Sequence, residues 1–260
     1  MSLSPTTSVR DLFLKACQEG NLELASVLLA NGADLNWRED ALWPTGLWSG
    51  LHYAAHGGHR ALLNLLLAHP RVDVNIETEY GQTPLMLACS AGHQITVQRL
   101  LQVEGLLLNA QDIWGETALH KAVPSSGCVQ QLRGASGLDW NLKNISGETP
   151  LLQAARGGYA DSLQVILTVP QPYLDLTATN ISGHSVTWLA VRAGNSVRCL
   201  QLLSDDPRVE WNSRDEAGDT PLLSCLKNNT MEFAKVLLNN PRVDPQVQDK
   251  EGRYPETIAR

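Results

Sequence analysis

Apolar residues fall at helical spacing in short blocks behind a series of polar turns. Leu85, Leu87, Ala88 and Cys89 form one such face, and the small Ala and Cys side chains there let a neighbouring helix approach closely. A wider and more apolar block follows each first one, as in Ala61–Ala68 with Leu62, Leu63, Leu65, Leu66 and Leu67. The pattern predicts pairs of short helices. One pair cannot bury both of its faces, so the pairs must stack on one another and share a core.

A repeated phrase sets the spacing. Gly-x-Thr-Pro-Leu begins at Gly81, Gly147 and Gly218, and a copy with Ala in place of Pro begins at Gly115. The threonines are Thr83, Thr117, Thr149 and Thr220, and Ser185 holds the equivalent place in a degenerate copy, so successive steps are 34, 32, 36 and 35 residues. Each residue of the phrase has a physical role. The Asp or Asn that opens the turn (Asp112, Asn144, Asn180, Asp215, Asp249) can accept from backbone N–H groups ahead of it, and the Gly three residues on tolerates positive φ. Thr then serves as an N-cap, and Pro at the first helical position loses no helix hydrogen bond.

A period of about 33 residues carrying T-P-L-H-x-A resembles the ankyrin-repeat family. Ala54-Ala-His-Gly-Gly-His59 and Val72-Asp-Val-Asn75 match further parts of its pattern, as do Ala16-Cys-Gln-Glu-Gly-Asn21 and Ala33-Asp-Leu-Asn36. The register predicts an all-α solenoid over 1–260, read as one domain with repeats at 8–40, 41–77, 78–111, 112–143, 144–179, 180–214 and 215–248 and a partial repeat at 249–260. That last stretch reads either as a short terminal cap or as the start of something longer. The resemblance implies structural places for His52 and His120, which match the His of T-P-L-H, and for Trp140 and Trp211 beside the Asn that closes a repeat. It also implies that Asn36 and Asn75 resemble ankyrin asparagines that become hydroxylated.

Composition changes the picture by exclusion. The longest apolar runs are far too short to span a bilayer, and Met1–Arg10 lacks the apolar stretch of a signal peptide. An intracellular chain, cytoplasmic or nuclear, is expected, with its 5 cysteines reduced and used as small apolar residues. A net charge of −7 with scattered Lys and Arg argues against nucleic-acid binding. No phosphate loop, metal-ligand spacing or catalytic constellation stands out. Cys89 and His93 are four apart, but one falls on a packing position and the other in a Gly-His turn. The expectation is a monomeric, non-enzymatic adaptor or regulator without cofactor or metal.

In the family, the turn tips and the inner side of the first helix form a concave partner-binding surface, so the positions that the repeat itself does not use carry the specificity. The tips hold Tyr80 and Gln82, Ile113 and Trp114, Ile145 and Ile181. Apolar residues at water-facing places suggest a binding strip, although each could instead pack on the next turn. The inner helix position reads Gln18, His56, Ser90, Pro124, Arg156, Arg192 and Lys227, turning basic toward the C-terminal half. Three cations on successive repeats would form a ridge about 20 Å long at helix-packing distances, unless acids such as Asp219 pair with them. The segment Trp37–Trp48 lengthens one finger by about four residues and holds three tryptophans, of which Trp43 and Trp48 are the partner-contact candidates. The expected ligand is a protein that offers an apolar anchor to the Trp48, Tyr80 and Trp114 region and an acidic or phosphorylated stretch to Arg156, Arg192 and Lys227. The alternative is the recognition arm of a larger protein such as a ubiquitin-ligase receptor, channel or kinase. Finally, Pro124, Gly127 and Gly134 in a repeat shortened by two residues between Ala122 and Asn141 predict a bend or soft spot at 122–138.

Overall fold

The repeated threonines do in three dimensions what their chemistry predicts. Thr83, Thr117, Thr149 and Thr220 each accept at the side-chain oxygen from the backbone N–H three residues on, Met86, His120, Leu152 and Leu223. Pro84, Pro150 and Pro221 occupy the first helical turn behind three of them. Ser8 and Ser49 cap the two earlier first helices in the same way. The computed structural model describes residues 8–39, 46–192, 194, 196–215 and 217–258, and among them it shows fifteen helices and one isolated antiparallel bridge between Arg38 and Ser49.

The chain divides into two compact units, 1–138 and 139–260. The first holds α1 (Val9–Gln18), α2 (Leu22–Ala30), α3 (Gly50–His56), α4 (Arg60–Leu67), α5 (Pro84–Ser90), α6 (Gln94–Leu100), α7 (Ala118–Ala122) and α8 (Ser126–Arg133). Here α1, α3, α5 and α7 pack side by side as one layer, and α2, α4, α6 and α8 form a second behind them. The second unit holds α9 (Pro150–Gly157), α10 (Ala160–Leu167), α11 (Val186–Arg192), α12 (Val197–Ser204), α13 (Pro221–Lys227), α14 (Met231–Leu238) and α15 (Pro255–Ile258). Its layers are α9, α11, α13 and α15 against α10, α12 and α14.

Between the layers lie the predicted apolar faces: Leu63, Leu85, Leu100 and Leu119 in the first unit, Leu151, Leu163, Leu200 and Leu223 in the second, all buried. All five cysteines are buried and unpaired, and burial pushes the Cys17 thiol up to about 12 and Cys225 up to about 11. Trp140 and Trp211 are core residues, as their positions imply.

Polar side chains tie each repeat to the next. Asn36 donates to the Arg71 carbonyl and accepts from Asp73 N–H, and Asn75 does the same with Gly105 and Leu107. Asn141 and Asn212 repeat the arrangement in the second unit. His59 and His93 donate from Nε2 to the carbonyls of Gln18 and His56, one repeat earlier. His52 reaches forward to the Gln82 carbonyl at 3.1 Å.

The fingers are set by their opening residue. Asp112 Oδ1 accepts from Trp114 and Glu116 N–H, and Asn144, Asn180 and Asp249 accept from the same two places in their own turns. Gly147 shows why a glycine follows: its φ is +71°, and a Cβ there would stand 2.7 Å from the backbone N of Ile181 on the next finger. Neighbouring fingers are joined by Ile113 N–H to the Tyr80 carbonyl and by Ile181 N–H to the Ser146 carbonyl. The shortened repeat stands out at the helix level, since α7 has five residues where α5 has seven.

Candidate functional site

In the first unit the fingers and the inner helix layer bring two groups of predicted site residues together. Tyr80 and Trp114, on adjacent fingers, stack with ring centroids 5.6 Å apart and an interplanar angle of 28°. They remain 37% and 39% exposed, and Ile113 beside them is 58% exposed. The pair is held from behind. Lys121 of α7 places Nζ 5.3 Å from the Trp114 ring centroid, 2.9 Å from Asp112 Oδ2 and in contact with Glu116. Burial opposes the Lys121 charge, but hydrogen bonds to Glu116 and Asp112 outweigh it and raise the pKa. Trp114 is therefore fixed by internal contacts while part of its ring stays in water.

Trp48 closes the first long finger. Its ring lies 5.1 Å from both Tyr53 and His56, and the Tyr53 hydroxyl donates to Glu39. His56, exposed at the end of α3, has its pKa lowered by burial and by the nearby His93. Trp48 is half-buried, so a large part of its surface is spent on the scaffold. Gln82 is half-buried as well, and its carbonyl serves both His52 and the N–H of Thr78. Trp43 lies outside the described residues. Trp37 packs edge-on against Phe13 at 6.4 Å, covering the first repeat.

The second unit contains the basic inner positions. Arg156 Nε lies 2.9 Å from the buried carboxylate of Glu148. Lys227 lies 2.7 Å from Asp219 and 3.1 Å from Asp249, and these hydrogen bonds outweigh its burial and raise its pKa. Arg192 Nη1 meets His184 Nε2 at 3.3 Å. Two of the three ridge cations therefore carry their own acid. Ile145 and Ile181 stand exposed on adjacent fingers of this unit rather than packing down on the next turn.

Lys121 is not singled out by the sequence, which marks Glu148 and His184 only as free positions after the finger glycine. The signal was there: in each repeat of the second unit the residue after the finger glycine meets the inner helix residue eight positions later, as in Glu148 with Arg156. Among the described residues, no group of three or more His, Cys, Asp or Glu side chains is placed to hold a metal ion. No described helix is long and apolar enough to cross a membrane.

Comparison with known proteins agrees with this geometry. A profile described as "Ankyrin repeats (3 copies)" matches residues 12–112 and 51–144, and one described as "Ankyrin repeats (many copies)" matches 186–238. The chain is 27% identical, over 92% of its length, to the ankyrin repeat domain-containing protein SAT10 of Stachybotrys chartarum, of which it spans 12%. It is 28% identical over 58% of its length to transient receptor potential cation channel subfamily A member 1 of Homo sapiens, spanning 14% of that protein. It is 46% identical over 62% of its length to the E3 ubiquitin-protein ligase XBAT33 of Arabidopsis thaliana, spanning 29%. The chain thus covers under a third of each of these relatives.

Proposed function

The chain belongs to the ankyrin-repeat family, a non-catalytic protein-interaction fold, and from that premise we propose that it acts as an adaptor or regulator gripping a partner polypeptide with its finger tips and inner helix layer. One observation carries the reading: Tyr80 and Trp114 form a stacked, part-exposed pair at the finger tips of the first unit. Aromatic surface that is already immobilised anchors an interface at small entropic cost, because little side-chain freedom is left to lose. Ile113 extends the apolar area, and Trp48 with His56 supplies a second, more buried contact on the inner layer.

Peptide display on the intact protein tests this, with Tyr80→Ala/Trp114→Ala as the counter-target. Selected peptides should lose about tenfold or more in affinity for the double variant. Peptides that bind both proteins equally would reject the finger site.

A second reading concerns setting rather than mechanism: the stack serves as the recognition arm of a larger polypeptide. Its support is that a ubiquitin ligase and a cation channel resemble this chain over only part of their own lengths. Mass measurement of the endogenous polypeptide, finding more than the 260 residues here, would support it; a mass equal to this chain would not.

A further inference from the structure

The second unit repeats one electrostatic device three times, and the middle copy lacks its acid. Arg156, Arg192 and Lys227 each stand eight residues after Glu148, His184 and Asp219 respectively. Each of the first set contacts its partner in the second set. Glu148 neutralises Arg156, and Asp219 neutralises Lys227 with help from Asp249. Arg192 meets an imidazole instead. A guanidinium can only donate, so His184 Nε2 accepts and the ring is neutral. Arg192 is exposed and keeps its charge uncompensated at that contact.

Its surroundings form a cleft of about 410 Å³ between α11 and α13, with Trp188, Val191 and Arg192 on one side and Ser224, Lys227 and Asn228 on the other. Asp215 and Asp219 also line it. Asp219 is held by Lys227, and Asp215 Oδ1 accepts from Asp219 N–H to shape its own turn. Trp188 is 3% exposed and lies 4.9 Å from the His184 ring, and its indole N–H has no acceptor among the described residues. A buried donor without a partner is uncommon because desolvating it is costly. Among the described residues, the cleft wall therefore carries a guanidinium with no carboxylate in contact, and Trp188 beside it holds a buried indole donor with no acceptor.

We propose that this cleft anchors an acidic side chain of a partner polypeptide, its carboxylate replacing at Arg192 the acid that the neighbouring repeats supply from within. The proposal rests on the partner-binding reading only in that the ligand is a polypeptide, and it uses a surface separate from the Tyr80 and Trp114 pair. It narrows the basic ridge of three to one working cation. Arg156 and Lys227 act as internal braces, and His184 is the substitution that frees the middle position.

The test is an NMR titration of the full chain with an acetylated oligoglutamate peptide, its oligoglutamine counterpart, and a version carrying phosphoserine. The Trp188 indole signal, assigned by Trp188→Phe, and the Arg192 guanidinium signal should move with oligoglutamate and stay still with oligoglutamine. Arg192→Gln should weaken binding about tenfold, as loss of a charge-assisted hydrogen bond does, and Arg156→Ala should change it less than about twofold. His184→Glu is the decisive variant. It installs at 184 the residue that sits opposite Arg156 at 148, so it should fold with an unchanged melting temperature and weaken binding as much as Arg192→Gln. Wild-type affinity in His184→Glu, or equal losses for Arg156→Ala and Arg192→Gln, would overturn the proposal. So would binding of the phosphoserine peptide alone, which would assign the cleft to phosphate. If neither acidic peptide binds while display yields Tyr80-dependent and Trp114-dependent binders, the cleft is rejected and the finger reading stands.

Discussion

At the scale of single residues, the repeat consensus is a set of hydrogen-bond obligations, and His52 shows what such an obligation costs. Its ring is fully buried, accepts at Nδ1 from Ser49 N–H and donates at Nε2 to the Gln82 carbonyl. Burial holds its pKa down at about 4, against an ordinary value near 6.5. The unfolded chain therefore binds the proton first as pH falls, so this residue's contribution to stability is complete above about pH 6.5 and is lost between there and about pH 4. The slope in that window should approach about 1.4 kcal/mol per pH unit. Urea denaturation of wild type and His52→Gln at pH 7 and pH 5 checks it: the stability gap between the two proteins should narrow at pH 5, and a constant gap would contradict the buried neutral ring. His52, Thr83 and Asn75 were legible from sequence because their neighbours in the repeat dictate their bonds. Lys121 was not, because its placement over Trp114 depends on a finger and a helix meeting in space.

At the scale of elements, cap and period define each helix pair, and the repeat at 112–143 shows what happens when both weaken. Ala118 replaces the usual Pro behind Thr117, Pro124 follows the C-cap Val123 of the short α7, and Gly127 lies within α8. Fewer intrahelical bonds and a glycine in the first turn of α8 both lower local stability. Native-state hydrogen exchange should therefore be faster at amides of α7 and α8 than at those of α5 and α6 in the same unit. Equal or slower exchange would show that packing of Leu119, Cys128 and Leu132 makes up the deficit. The sequence marked this segment as weak through Pro and Gly alone. It did not show how far α7 would shorten, since helix length near a break is decided by the helices packed against it.

At the scale of the whole molecule, the charge balance limits the kind of partner. A net charge of −7, with Lys121, Arg156 and Lys227 already paired to acids, leaves little concentrated positive surface. The chain should pass through a heparin column at about 0.15 M salt and be retained on an anion exchanger at pH 7; retention on heparin would reopen the nucleic-acid reading. The same scale separates what each source of information decided. The sequence by itself determined the repeat, the helix pairs, the caps, the turn residues and the buried cysteines, because those follow from short-range geometry that recurs with each copy of the phrase. Which spare side chains remain spare was decided only by tertiary structure. Arg156, Arg192 and Lys227 are equivalent along the chain, yet Glu148 and Asp219 pair with two of them while the third meets His184. The physical reason is that the period assigns each residue a place, whereas its charge balance is set by whichever side chain the fold brings within a few ångströms.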